Sequence, residues 1–226
     1  MTFEERLTEI INPKNDMTFV FDARVRQLIE ACEDVIGNSV QGAFVETGVY
    51  KGGMVALMSA VNRECSGERA IYAFDSFEGC PPPDALKYKY KINEYKGGEY
   101  TGTLENVISN LEKSELAGTI TFVKGIFKDT LTDSNIPNKI AILRFDADYY
   151  SSTLEVLEAM YDRVSVGGYV IIDDYSLDGC REAVHEFIIR RQLNIALKSP
   201  YLTQGERWYE TPDIRRNPAG VYWKKK

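Results

Sequence analysis

Short apolar runs alternate with amphipathic stretches along this chain, the pattern of a parallel sheet with crossover helices. Runs at 42–45, 70–74, 119–124, 140–145 and 169–172 read as strands. Helical periodicity marks 22–36, 54–63, 104–116 and 183–192, and Gly37-Asn38 ends the first of these. Ser152-Thr153-Leu154-Glu155 has capping-box spacing and predicts a further helix starting at Ser152. Gly167-Gly168 is expected to turn the chain into the fifth strand, and stretches near 195–198 and 220–223 to add two more. The result is a single expected domain over 1–226, with a helical N-terminal segment at 1–41. Residues 76–100 lack periodicity; with Pro81-Pro82-Pro83 and KYKYKINEYKGGEY they read as a lid-like or solvated loop.

Open α/β sheets bind ligands outside the carboxyl ends of their strands. Five of the expected strand ends carry Glu46-Thr47-Gly48-Val49-Tyr50-Lys51-Gly52-Gly53, Asp75-Ser76-Phe77, Gly125-Ile126-Phe127, Asp146-Ala147-Asp148 and Asp173-Asp174. The Gly-rich turn has tyrosine where a dinucleotide fingerprint has its middle glycine, which disfavours a tightly held pyrophosphate. Asp75 stands where several nucleotide folds place a ribose-binding acid. Asp146 and Asp173 end strands expected to be neighbours, so three or four carboxylates should converge. Like charges so close raise one another's pKa or recruit a cation, and an all-oxygen donor set suits Mg²⁺, Mn²⁺ or Ca²⁺. The bland alternatives are a solvated turn and paired helix-cap acids.

Composition narrows the function classes. With 44% hydrophobic and 27% charged residues, the composition is that of a globular protein and indicates neither disorder nor a fibrous class. A formal charge of −7 argues against a phosphate-backbone partner, so no nucleic acid is expected. No apolar run approaches the roughly 20 residues a membrane helix needs. The acidic start MTFEERLTEI is unlike a signal peptide, so a cytoplasmic location is expected. Cys32, Cys65, Cys80 and Cys180 form no CxxC pair and read as reduced, mostly structural thiols. The only histidine, His185, falls in an expected helix, which all but removes Ser-His and Cys-His nucleophilic catalysis.

The blocks GAFVETGVYKGG, YAFDSFEGCPPPD, VKGIFKDTL, LRFDADYYSST, GGYVIIDDYSLDGCREAV and GVYW closely resemble the macrocin O-methyltransferase (TylF-type) family, in order from about residue 42 to 223. The resemblance implies a Rossmann-like class I methyltransferase fold: a seven-stranded, mostly parallel sheet with a reversed last strand and helices on both faces. It implies divalent-metal-dependent methylation of a hydroxyl, commonly on a sugar, by S-adenosylmethionine. By motif, Asp146, Asp173 and Asp174 would hold Mg²⁺ or another divalent cation, and Asp148 would be the general base. Glu46 and Gly48 would hold the methionine end of the cofactor, Asp75 its ribose, and Ser76, Ile126 and Phe127 its adenosine. Thr47, Tyr50, Gly125 and Asp146 would line the same site. The expected partner is a small-molecule or glycan acceptor with a free hydroxyl, and a homo-oligomer is expected.

Three other readings compete. Asp146-Ala147-Asp148 is also the DxD of a metal-dependent glycosyltransferase, but that reading gives Glu46-Thr47-Gly48 and Asp75 no work. A nicotinamide oxidoreductase is disfavoured by the missing glycine, and a silent binding module by the retained acids.

Overall fold

The computed structural model describes residues 2–12, 14–20, 23–65, 67–82, 96–116, 120–200 and 220–226. Two helices lead, α1 (Phe3–Ile11) and α2 (Ala23–Gly37). Then β1 (Ala43–Thr47), α3 (Gly53–Glu64), β2 (Ile71–Asp75), α4 (Leu104–Lys113), β3 (Ile120–Lys124) and α5 (Phe127–Thr130) follow. The second half runs β4 (Ile140–Phe145), α6 (Tyr150–Met160), β5 (Val164–Ile172), α7 (Asp178–Arg190) and β6 (Val221–Lys224). The strands form one sheet in the order β3-β2-β1-β4-β5-β6, parallel except for the last.

Every residue of β1 and β4 is buried, because helices cover both faces of a parallel sheet. Leu28, Ala31, Leu57 and Met58 pack on one face with Phe44 and Ile142. Val156, Leu157, Val184 and Phe187 pack on the other with Leu143, Phe145 and Val170. Chain order reverses between β1 and β4, the switch point at which α/β sheets open a ligand crevice.

The expected topology holds, with three differences in detail. The described residues contain six strands rather than seven; the stretch near 195–198 contributes one antiparallel bridge, Lys198 to Tyr222, and residues 201–219 lie outside the description. The fifth strand starts at Val164, and Gly167, at φ +84°, accommodates an irregularity within it rather than a turn before it. Helix α6 starts at Tyr150, not at a Ser152 cap. Asp148 adopts a left-handed φ of +55°, which turns the chain at once into the helix and buries Ser152 and Thr153 inside it. Of the lid-like loop, residues 83–95 lie outside the description. Its two ends are fastened together by Cys80 N–H to Glu99 O (2.8 Å) and Gly98 N–H to Cys80 O (2.8 Å).

Candidate active site

The carboxyl ends of β1, β2, β3, β4 and β5 border one cavity of about 430 Å³. Glu46, Gly48, Tyr50, Asp75, Ser76, Gly125, Ile126, Phe127, Asp146, Asp148, Asp173 and Asp174 all line it, bringing together the expected site residues apart from Thr47. Thr47 is fully buried beneath, and its carbonyl accepts from Asp146 N–H at 2.9 Å.

Carboxylate oxygens of Asp146, Asp148 and Asp174 lie within 4.8 Å of one another. The backbone makes this happen: Asp146 follows β4, Asp174 follows β5, and Asp148 N–H donates to Asp174 Oδ2 at 2.9 Å. Helix-cap roles do not explain these acids, since the residues capping α6 and α7 are Tyr149 and Leu177. Burial, then repulsion from Asp174, pushes the Asp146 carboxyl up to about 7. Burial, then repulsion from Asp148 and Asp173, does the same to Asp174, also about 7. Such a cluster is destabilised when fully charged, which is the electrostatic condition for attracting a cation.

Asp173 stands differently from the expected ligand. Its Oδ2 accepts from Arg24 Nη1 at 2.8 Å and its Oδ1 faces Arg144 Nη2 at 3.3 Å, so two guanidinium groups hold it outside the three-carboxylate group. Arg144, 2% exposed, belongs to none of the strand-end motifs, although a charge inside a six-residue core strand is itself a signal. It pairs with Glu46, with Asp146 at 3.2 Å and with Asp173. Burial would strip its charge, but Asp173, Glu46 and Asp146 outweigh that and raise its pKa.

Glu46 is 1% exposed, and burial pushes its carboxyl up to about 8 against the pull of Arg144. One oxygen accepts from Arg144; the other, Oε2, is buried with no hydrogen-bond partner among the described residues. A buried acceptor left open beside a cavity is the mark of a site for a donor. Gly48, at φ +81°, completes the cradle: a Cβ there would sit 1.8 Å from the carbonyl oxygen of Asp146. Gly48→Ala is therefore expected to lower stability by at least ~1–3 kcal/mol, measured by urea unfolding; an unchanged midpoint would show that the turn can yield.

Asp75 holds the Gly-rich turn. Its Oδ2 accepts from the N–H groups of Val49 (2.6 Å) and Tyr50 (3.3 Å), and its Oδ1 from Phe77 N–H (2.7 Å). The Ser76 hydroxyl donates to Gly79 O at 2.8 Å and lies 3.4 Å from Asp75 Oδ1, and Asp75 lines the cavity. Tyr50 turns its ring to Phe19 and its hydroxyl to Asp16. Two further neighbours bear on the site. The Cys80 thiol donates to Asp148 Oδ2 at 3.4 Å, and the Tyr149 hydroxyl donates to Pro81 O at 3.1 Å. All four cysteines are free. His185 is exposed on α7, bonded to the Tyr175 hydroxyl, and is not among the cavity-lining residues.

The family model described as macrocin O-methyltransferase (TylF) matches residues 2–200. The chain belongs to this family. It is 38% identical over 176 residues to the 8-demethyl-8-(2,3-dimethoxy-alpha-L-rhamnosyl)-tetracenomycin-C 4'-O-methyltransferase of Streptomyces olivaceus, covering 75% of this chain and 67% of that one. It is 36% identical over 190 residues to the demethyldecarbamoylnovobiocin O-methyltransferase of Streptomyces niveus, covering 81% and 71%. Among solved structures it resembles the O-methyltransferase NovP, with a TM-score of 0.78 and 32% identity over 93% of this chain and 82% of that one. The macrocin O-methyltransferase fold accounts for the sheet order and the reversed last strand, and the chain is an O-methyltransferase. The glycosyltransferase alternative finds no support in these similarities. No helix among the described residues is long and apolar enough to cross a membrane.

Proposed function

We propose that this chain moves the methyl group of S-adenosylmethionine to a hydroxyl of a sugar borne by a natural product or glycan, with a divalent cation at Asp146 and Asp174. The observation that carries this is the group of three carboxylates at the switch point, in one cavity with the open acceptor of Glu46. The rhamnosyl group in the name of the Streptomyces olivaceus relative supports the sugar.

S-Adenosylmethionine supplies a methyl already activated on a sulfonium, and a divalent cation lowers the pKa of a hydroxyl it meets. The chain's own residues supply position and proton transfer. Glu46 Oε2 is placed to accept from an ammonium group, Gly48 leaves room beside it, and Asp75, which lines the cavity, would meet a ribose hydroxyl. Ser76, Gly125, Ile126 and Phe127 line the same cavity and would meet the adenosine. Mg²⁺ usually takes one or two protein carboxylates, so Asp146 and Asp174 suffice and Asp148 remains to take the acceptor's proton. Asp173 serves through Arg144 and Arg24, fixing the acids from behind. Alignment of the reacting groups can contribute ~7–11 kcal/mol in ideal cases, and base catalysis about 10²–10⁴-fold.

Calorimetric titration tests the reading: S-adenosylhomocysteine should bind, while a UDP-sugar and NAD should not. Binding of the UDP-sugar alone would sink it. Cation binding carries a pH signature with a definite sign. The folded-state pKa values of Asp146 and Asp174, about 7, lie above their ordinary 3.8. The cation-free protein should thus lose stability as pH rises from about 4 to 7. Mg²⁺ must displace those protons, so its affinity should climb up to about tenfold per pH unit per displaced proton between pH 6 and 7. The measurement is the Mg²⁺-induced shift in melting temperature against EDTA controls; a shift no larger at pH 8 than at pH 6 would remove the cation from this cluster.

A further inference from the structure

Three aromatic rings from three separate segments meet at the cavity opening. Phe19, from the stretch before α2, stacks on Tyr50 with ring centroids 4.9 Å apart and planes inclined by 28°. Tyr100, from the far end of the lid-like loop, meets Phe19 edge-on at 5.7 Å. All three line the cavity that holds the acid cluster. Phe19 nevertheless remains 55% exposed and Tyr100 48%. Large rings held open to solvent beside a concave site mark a binding surface more often than a folding need.

The platform is also pre-formed. Tyr50 has φ +52°, a left-handed conformation that a bulky residue keeps only where its surroundings impose it. Those surroundings are Asp75, which accepts the N–H groups of Val49 and Tyr50, and Asp16, which accepts the Tyr50 hydroxyl at 3.2 Å. The nearby cation, Lys51, is committed to that same Asp16. The opening therefore presents ring faces and edges beside an ion pair already satisfied within itself, which suits a neutral planar group.

We infer that Phe19, Tyr50 and Tyr100 form an aglycone subsite, stacking a neutral, flat ring system attached to the sugar whose hydroxyl reaches Asp148. This rests on the methyl-transfer reading above and adds the residues that would meet the group the sugar is attached to. The aromatic gain should be that of an added ring contact, offset-stacked or edge-to-face.

The test uses the full chain saturated with S-adenosylhomocysteine, titrated calorimetrically with 4-nitrophenyl α-L-rhamnopyranoside, methyl α-L-rhamnopyranoside and TDP-rhamnose. The aryl glycoside should bind about fivefold or more tightly than the methyl glycoside. Phe19→Ala and Tyr100→Ala should each shrink that ratio towards one, while Phe19→Trp should retain it. Equal affinities for the two glycosides, no binding of either, a preference for TDP-rhamnose, or a ratio unmoved by both alanine variants would each overturn the subsite. Failure of the wild-type chain to bind S-adenosylhomocysteine would instead strike the methyl-transfer reading beneath it.

Discussion

Arg144→Met should lower the stability of this protein by about 3–5 kcal/mol, the loss expected when one partner of a buried ion pair is removed. The size follows from what the guanidinium faces. Arg144 is 2% exposed and serves Glu46, Asp146 and Asp173 together, so methionine would leave three acids without their shared cation. Burial already pushes Glu46 up to about 8 with the arginine present, and its removal would push all three acids further in the same direction. A carboxyl whose folded-state pKa lies above its unfolded value makes the folded state less stable as pH rises between the two values. The deficit should therefore be smallest near pH 4 and grow through pH 8. Arg144→Lys should recover only part of it, because one ammonium cannot reproduce a planar fork reaching three carboxylates. Urea unfolding of both variants at several pH values checks this, and a midpoint near wild type at pH 8 would mean that the acids find compensation elsewhere.

Arg144 also shows where the sequence stopped being legible. The strands could be read because each is a short apolar run with a glycine or acid at its end, and the crossover rule made neighbours of the two that end in Asp146 and Asp173. The convergence of Asp146 with Asp173-Asp174 followed from that adjacency alone. What could not be read was the direction each carboxylate takes. Asp173 and Asp174 are adjacent, yet Asp173 goes to Arg24 and Arg144 while Asp174 joins Asp146 and Asp148. That sorting depends on Arg24, 149 positions away in the chain on α2, and no spacing rule reports it. The start of α6 was misplaced for a related reason. Asp148 takes a left-handed backbone under the pull of Asp174 on its N–H, and this tertiary contact overrides the local capping signal at Ser152. Phe19 and Tyr100 were unreadable because no single segment contains the platform they share with Tyr50.

Asp148→Asn should reduce methyl transfer by about 10²–10⁴-fold, the usual contribution of a positioned general base, while leaving the binding of S-adenosylhomocysteine and of Mg²⁺ nearly intact. The split between chemistry and binding is what gives the variant its value. Asp148 lies in the three-carboxylate group, so distance alone would also permit it as a cation ligand. Its surroundings favour the proton-accepting role. The Cys80 thiol donates to its Oδ2, and its own backbone N–H is tied to Asp174 Oδ2, so the carboxyl is held beside Asp146 and Asp174, the proposed cation ligands, by hydrogen bonds that need no cation. Asparagine keeps the size and one acceptor oxygen of the side chain but cannot take up a proton at neutral pH. Asp146→Asn should behave differently, losing Mg²⁺-dependent thermal stabilisation together with activity. Should Asp148→Asn instead abolish the Mg²⁺-dependent shift in melting temperature, Asp148 would be a ligand. The proton would then have to leave by another of the cavity's acids.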